Sequence, residues 1–501
     1  MNDRRRRMFL LPVAAGVMLS ACASVGPNVS SPSLPEVPSA PFPTEFRVGS
    51  AGLSPGAVDA AWWRSFDDPV LSSLIQRAWA ANHDIGLAAA RLDEAKAMLR
   101  ESRQGFLPRG SVGVGHENRR LGEVERGPGQ ARRTETYRAA VDASWEIDLF
   151  GRVRRSAEAA RADAGSREAL LRDVQASVAA AVAATWFELG GLEAELGVVA
   201  EITRRQRDSL RLVEGLVEAG SANEVDRLRA DAALRAVEVV APELAHRRTV
   251  AANALALLLG ETPQTFVAPS TATARDELAV RRIAVGDPAA LLARRPDIEA
   301  AELSLAAATA RIGVETAGLY PQIEVQGSIG VVAGSLGSTG GSSALSSLLA
   351  PLLRWSFLDG GRVRARIAAS EARAREALIR YDQTVLRALE ETDNAFVAFS
   401  SAGDALQLRL QEASATGQAA DLARAQFAHG EGIYLDVLDA ERADFASRRA
   451  LVVARTNQRL TIVSIYKALG GGWLPCTREE IDCSGAGGAP DARFSTLMPT
   501  P

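Results

Sequence analysis

Tyr137-Arg138-Ala139-Ala140-Val141-Asp142-Ala143-Ser144-Trp145-Glu146-Ile147-Asp148-Leu149 changes character at every step. Tyr137, Ala139, Val141, Ala143, Trp145, Ile147 and Leu149 fall on one side, and Arg138, Ala140, Asp142, Ser144, Glu146 and Asp148 on the other. Successive side chains of a strand point to opposite faces, so this stretch reads as a strand with one apolar and one wet face. Residues 322–332 repeat the pattern, with Ile323, Val325, Ile329 and Val331 set against Gln322, Glu324, Gln326 and Ser328. Weaker candidates lie at 111–119 (Val112, Val114) and 345–358 (Leu349, Leu353, Trp355, Phe357), where Pro351 suggests a bend or an edge. With 136–149, these make four strands of the length and alternation that a transmembrane β-barrel uses, apolar toward lipid and polar toward the lumen. A soluble sandwich face would alternate in the same way, but the chain offers too few further strands to build one. Four strands do not close a barrel. Open edges in lipid leave backbone groups unpaired, and the smallest single-chain bacterial barrels have about eight strands. Several chains must therefore contribute to one barrel.

Working outward from the strands, the chain repeats itself. Trp145, Gly151, Arg152 and Val153 recur 210 positions on as Trp355, Gly361, Arg362 and Val363. Gly220, Asp226, Leu228 and Ala230 recur at the same offset as Gly430, Asp436, Leu438 and Ala440, and Leu259-Gly260 recurs as Leu469-Gly470. Upstream the offset is 213, which pairs Asp84-Ile85 with Asp297-Ile298 and Pro108 with Pro321. A constant spacing over so many positions marks two copies of one unit, 61–270 and 271–470. Each copy reads as a helix (83–107, then 296–319), two strands, and a long helical hairpin (151–260, then 361–469) whose second arm begins near 224 or 434. Residues 151–219 contain no proline, and an unbroken helix there would be about 100 Å long. No single globular core accommodates helices of that length, so they are expected to pack as a coiled coil or helical tube. Their apolar stretches, such as Val178 to Phe187, are too short to span a bilayer, which places them outside the membrane. The fold class is thus mainly α with a small membrane β-barrel contribution.

The N-terminus carries Arg4 to Arg7, an apolar run from Met8 to Leu19, and Leu19-Ser20-Ala21-Cys22. This is a secretory signal segment, 1–21. It resembles a bacterial lipobox, which would make Cys22 the lipidated first residue of the mature chain. The alternative is an ordinary signal peptide with a chance cysteine. A Pro-rich linker follows within 22–60, and a Gly/Pro/Ser-rich tail occupies 471–501. Cys476 and Cys483 in that tail are either a small disulfide loop, as an oxidising compartment would allow, or two free thiols. The net charge of −4 argues against a nucleic-acid partner, which calls for a basic face.

Four stretches carry a family resemblance: Arg295-Pro296-Asp297-Ile298-Glu299-Ala300-Ala301-Glu302, Gly318-Leu319-Tyr320-Pro321, Trp355-Ser356-Phe357-Leu358-Asp359-Gly360-Gly361-Arg362 and Tyr434-Leu435-Asp436-Val437-Leu438-Asp439-Ala440-Glu441. In this order, behind a lipobox, the chain resembles the TolC-type outer membrane factors, and within them the NodT/OprM-like efflux lipoproteins. The resemblance implies a homotrimer whose twelve strands form an outer-membrane barrel above a periplasmic helical tunnel. It implies docking on a periplasmic adaptor protein and an inner-membrane RND-type transporter, and passive conduction of small molecules. The duct of a type I protein secretion system shares the architecture and is the alternative.

By the same resemblance Gly220, Ser221, Gly430 and Gly432 lie at hairpin tips that meet the adaptor. Leu435 falls at an apolar constriction, Asp436 and Asp439 at aspartate rings of the tunnel mouth, and Arg442 at a basic partner position. Asp436 and Asp439, three apart, share a helix face, and threefold symmetry would turn each into a carboxylate ring that favours cations. A solvated charged face is the other reading of such aspartates. The first copy keeps Asp226 but has Arg229 where the second has Asp439, so only the second copy can carry both rings. Enzyme motifs are missing. His83, His116, His246 and His429 lack metal-ligand spacing, and neither lysine, Lys96 or Lys467, follows a glycine as a phosphate loop needs. No catalytic activity, metal or cofactor is expected beyond the lipid on Cys22.

Overall fold

The computed structural model describes residues 24–28, 53–54, 59–271, 283–285 and 294–473. In chain order the elements are β1 (Leu53–Ser54), α1 (Pro69–Ala81), α2 (His83–Gln104), β2 (Arg109–Arg120), β3 (Arg133–Ile147), α3 (Arg152–Glu218), α4 (Glu224–Glu238), α5 (Val240–Leu258), β4 (Ile283–Ala284), α6 (Pro296–Thr316), β5 (Gln322–Ala333), β6 (Leu345–Arg354), α7 (Gly360–Ala428) and α8 (Tyr434–Ala468). Helices α3 and α7 run unbroken for 67 and 69 residues. Among the described residues no helix is long and apolar enough to cross a membrane.

Several boundaries differ from the sequence reading, each for a local reason. The strand expected to end at 149 stops at Ile147. Asp148 instead turns back to cap α3, its carboxylate accepting from the amides of Val153 (3.0 Å) and Arg154 (2.9 Å). The strand expected over 345–358 ends at Arg354, and Phe357–Asp359 forms a 3₁₀ turn into α7. The single arm expected from 224 to 260 is two helices, α4 and α5, parted at Val239. Pro242 is the third residue of α5 and has no N–H to offer the Glu238 carbonyl that a continuous helix would pair with it. Helix α8, with valine at the equivalent position 452, is continuous. Helix α1 went unanticipated, although Asp68-Pro69 is a helix-start signal. Asp68 accepts from the amides of Val70 (2.9 Å) and Leu71 (3.0 Å).

The chain forms two compact units that cut across the sequence repeat: residues 1–35, 90–168 and 300–383 in one, residues 36–89, 169–299 and 384–501 in the other. Each draws matching pieces from both copies. The first holds the four-stranded antiparallel sheet, ordered β2-β3-β5-β6. Its central pairing, β3 with β5, joins the two hairpins and aligns Val141 with Ile329 and Trp145 with Val325. The outer pairings align Val112 with Val141 and Gly327 with Leu349. One face therefore carries Val112, Val114, Val141, Trp145, Val325, Ile329, Leu349 and Leu353. The other carries Arg109, Arg138, Asp142, Ser144, Glu324, Gln326 and Ser328, which line a concave surface. The apolar face lacks a covering layer: Val114 is 83% and Leu349 78% exposed. Repeat mates anchor the base of each hairpin alike. The Trp145 indole N–H donates to the Phe106 carbonyl (3.0 Å), and that of Trp355 donates to the Leu319 carbonyl (3.1 Å).

The second unit is helical. Its aromatic core stacks Trp62 on Tyr466 and sets Trp63 edge-on to Trp79, while the buried Trp186 indole donates to Asp68 at 2.8 Å. Repeat mates recur here also. The Asn82 amide donates to the Leu258 carbonyl and the Arg295 guanidinium to the Ala468 carbonyl, both at 2.9 Å, closing the last turn of α5 and of α8.

Candidate functional site

Within the helical unit, α3 turns into α4 and α7 into α8 through the same geometry. At the first tip Gly220 adopts φ +72°, its amide donates to the Val217 carbonyl, and the Ser221 amide reaches back to the Leu216 carbonyl at 2.8 Å. At the second, Gly430 adopts φ +77°, its amide donates to Phe427, and the Glu431 amide donates to Gln426 at 2.9 Å. Glycine is the residue that ends a helix in this left-handed conformation without a Cβ penalty. A Cβ added at either glycine would meet only open space, so the backbone conformation and not crowding selects it. Gly432, by contrast, has no positive φ and lies over the Gln426–Phe427 backbone. The tips differ at the next cap. Asn223 accepts from the Asp226 amide at 3.0 Å, whereas Ile433 offers α8 no side-chain cap.

Just behind the tips Val213, Ala230, Tyr434 and Val437 form a buried cluster, flanked by Leu210, Val217, Ala423 and Phe427. It ties α3, α4, α7 and α8 together. The Tyr434 ring sits 5.4 Å from that of Phe427, and its hydroxyl is 3.4 Å from Ser209 Oγ. Burial pushes the Tyr434 hydroxyl pKa upward, so it stays protonated and able to donate.

This packing fixes which side of α8 is free. Tyr434, Val437, Glu441 and Asp444 face inward and are buried, while Leu435, Asp436, Asp439 and Arg442 are exposed. Asp436, Asp439 and Arg442 have no ion pair among the described residues, so their charges are presented outward. In the first copy Asp226 is instead paired with Arg229 at 3.4 Å, and Glu224 with Arg227 at 2.9 Å. Glu224 and Asp226 are thus neutralised within their own tip, whereas Asp436 and Asp439 are not.

Sequence reasoning missed a buried polar layer directly behind. Gln206 (3% exposed), Glu441 (5%) and Asp444 (1%) come together from α3 and α8. Gln206 donates to Glu441 at 2.9 Å, Arg448 donates to Asp444 at 2.8 Å, and Arg424 of α7 approaches Glu441 at 3.3 Å. The second Glu441 oxygen and the Gln206 carbonyl oxygen lack hydrogen-bond partners among the described residues. Burial raises the Glu441 pKa, against the pull of Arg424, Gln206 and Arg205. The available signal was spacing: Glu441 and Asp444 continue the apolar stripe of Tyr434 and Val437 at helical intervals. Cys22, Cys476 and Cys483 lie outside the described residues. Among the described residues no three His, Cys, Asp or Glu converge as a metal site.

Comparison with known proteins adds to this geometry. The profile of the family described as "Outer membrane efflux protein" matches residues 74–261 and 288–471. Over 474 residues the chain is 29% identical to the cation efflux system protein CusC of Escherichia coli O6:H1, covering 93% of this chain and 98% of that one. It is 30% identical over 480 residues to the pyoverdine export outer membrane protein OpmQ of Pseudomonas putida, with the same coverage of both chains. Among solved structures, the outer-membrane channel OprN superposes with a TM-score of 0.83 at 33% identity, covering 90% of this chain and all of that one.

Proposed function

The chain belongs to the outer membrane efflux protein family, and from that premise we propose that it is the exit duct of a tripartite efflux pump, conducting small molecules passively across the outer membrane. The observation that carries this reading is the sheet, with its uncovered apolar face, its polar concave face and its two unpaired edge strands, β2 and β6. In water such a face is a liability, whereas in lipid the same face is at home provided the edges are paired. Three copies joined edge to edge give twelve strands, a closed barrel with the polar face around an aqueous lumen. The long helices of the same three copies then continue the lumen into the periplasm. An inner-membrane RND-type transporter supplies the energy and a periplasmic adaptor joins the two.

The tips supply the gate. Leu435 narrows the mouth, and Asp436 and Asp439 surround it as two carboxylate rings that favour cations. Arg442, one turn further on, is the basic group available to a neighbouring copy. Gly220, Ser221, Gly430 and Gly432 are the surfaces offered to the adaptor. A lipid on Cys22 anchors the chain to the outer membrane. The lipobox supports placing the chain with the NodT/OprM-like lipoproteins, although its relatives come from several branches of the family. Two of those relatives are named for cation efflux and for pyoverdine export, which favours efflux over protein secretion.

The test is the detergent-corrected mass of the particle extracted from outer-membrane fractions, measured by light scattering, followed by drug accumulation in a deletion strain. Three chains per particle and raised accumulation are expected. A monomeric particle would overturn the shared barrel, and normal accumulation with loss of a secreted polypeptide would reassign the duct to protein secretion.

A further inference from the structure

We propose that the outward face of the β2–β3 hairpin, beyond the apolar band, binds the phosphorylated glycolipid headgroup of the outer leaflet through Arg120 and Arg133. This assignment rests on the reading of the sheet as one third of an outer-membrane barrel. The pairing register orders the lipid-facing side of the hairpin by height. From the base upward it runs Gly110 beside Ala143, Val112 beside Val141, Val114 beside Ala139, His116 beside Tyr137, Asn118 beside Glu135, and Arg120 beside Arg133. The row thus passes from apolar to aromatic to polar to basic along a single face.

The spacing fits a bilayer. Eight residues separate Trp145 from Tyr137, about 27 Å along a strand and about 20 Å along the membrane normal at a tilt of about 40°. Barrels of this kind carry an apolar band about 25 Å tall between two aromatic girdles. Trp145 and Trp355 belong to the lower girdle, and His116 and Tyr137, 4.5 Å between ring centroids and tilted by 32°, to the upper one. The β2–β3 ladder then continues for four more pairs, although β5 ends opposite Tyr137. Arg133 stands four residues past Tyr137, about 10 Å higher along the normal, the level of the outer headgroups.

At that level two like charges face each other directly across the strands, an arrangement that destabilises an antiparallel pair unless an anion lies between them. Both arginines are exposed. The Arg133 Nε donates to Asn118 at 2.9 Å, which orients the guanidinium, while Glu135 stands 3.7 Å away. Arg120 has no ion pair among the described residues. Two guanidinium forks on one lipid-facing row suit phosphate oxygens, which they bind in a bidentate manner.

The experiment uses the purified full chain in detergent, with native mass spectrometry to count bound lipid. Wild-type protein is expected to bind bisphosphorylated lipid A at least about tenfold more tightly than its dephosphorylated form. Arg120→Gln with Arg133→Gln is expected to remove that preference and leave the binding of dephosphorylated lipid unchanged. Arg119→Gln, on the opposite face of the same strand, is expected to change neither. Equal wild-type affinity for the two lipids, or an equal loss in the Arg119 variant, would overturn the proposal. Displacement of lipid A by millimolar inorganic phosphate would also overturn it, because the site would then serve the free anion. If the double variant fails to assemble, Arg120→Gln alone carries the same expectation at smaller size. A wild-type particle that is not a barrel-forming oligomer fails in the light-scattering measurement, independently of lipid preference.

Discussion

Replacing Glu441 by Gln tests whether the layer behind the tips is held by charge or by fit. The carboxylate is 5% exposed and accepts one hydrogen bond from Gln206, whose own carbonyl oxygen has no donor among the described residues. The amide that Glu441→Gln introduces can accept the first bond and donate to that carbonyl oxygen. A new buried hydrogen bond of this kind contributes about 1 kcal/mol. Opposing it is the lost attraction to Arg424 at 3.3 Å, whose side chain is 35% exposed and keeps Asp421 as a partner at 2.8 Å. The Nε that faces Glu441 is itself buried with no hydrogen-bond partner among the described residues, so although the guanidinium keeps Asp421 the loss is about 1 kcal/mol. The two offset each other, so relief of the buried charge sets the sign, and the net expectation is stabilisation by about 1 kcal/mol at mildly alkaline pH, roughly a fivefold change in local opening. The pH dependence follows in sign. Burial holds the Glu441 pKa above the ordinary carboxylate value. Its stabilising contribution is therefore complete below that ordinary value and is lost as pH rises through the raised one. Hydrogen exchange of the α8 amides between 437 and 448, corrected for intrinsic rates and followed against pH, reads both effects. Protection in the wild type is expected to fall on going from acid to alkaline pH, and protection in the Gln variant to stay level. Glu441→Ala, which leaves a void and an unmatched Gln206 amide, should lose about 2–3 kcal/mol. Equal loss in the Gln and Ala variants, or a wild-type profile that is flat with pH, would refute the reasoning.

Three further expectations concern other parts of the chain. Substituting Asp436 and Asp439 together by Ala is expected to reduce the cation preference of single channels in planar bilayers, and unchanged ion selectivity would remove them as rings. Trp145→Phe and Trp355→Phe each delete one indole donor to a helix-end carbonyl and should each lower stability by about 1 kcal/mol, additively because the sites are separate, as read from heat-modifiability on gels. Gly470→Ala combines φ +72° with a Cβ only 3.0 Å from the Arg295 side chain and 3.2 Å from the Arg294 carbonyl, and is expected to cost more than about 2 kcal/mol. Gly220→Ala, with the same φ but open space, should cost about 1 kcal/mol, and equal thermal shifts for the two would show that crowding at Gly470 has no effect.

Much of this molecule is legible in one dimension because it is built from long periodic elements. The alternation in 137–149 and 322–332 set strand and facing, since the side-chain period of a strand leaves no choice once one face is apolar. The 210-residue offset located repeat mates that make the same bonds in space, as Trp145 and Trp355 do, and the 213-residue offset upstream did so for Asn82 and Arg295. The exposed aspartates of α8 were legible too, because their positions on the helix follow from spacing alone. What the tertiary structure alone decided was choice of partner. Nothing in the pattern of 137–149 says that β3 pairs with β5 rather than with an edge, and that pairing joins the hairpins and leaves β2 and β6 open. The compact units draw on both copies, because unbroken helices carry each repeat from one unit into the other. Gln206, Glu441 and Arg424, hundreds of positions apart in part, meet only because Tyr434 and Val437 bury one face of α8 against α3 and α7. Periodicity fixes the direction in which a side chain points, but the group that meets it there is set by long-range packing.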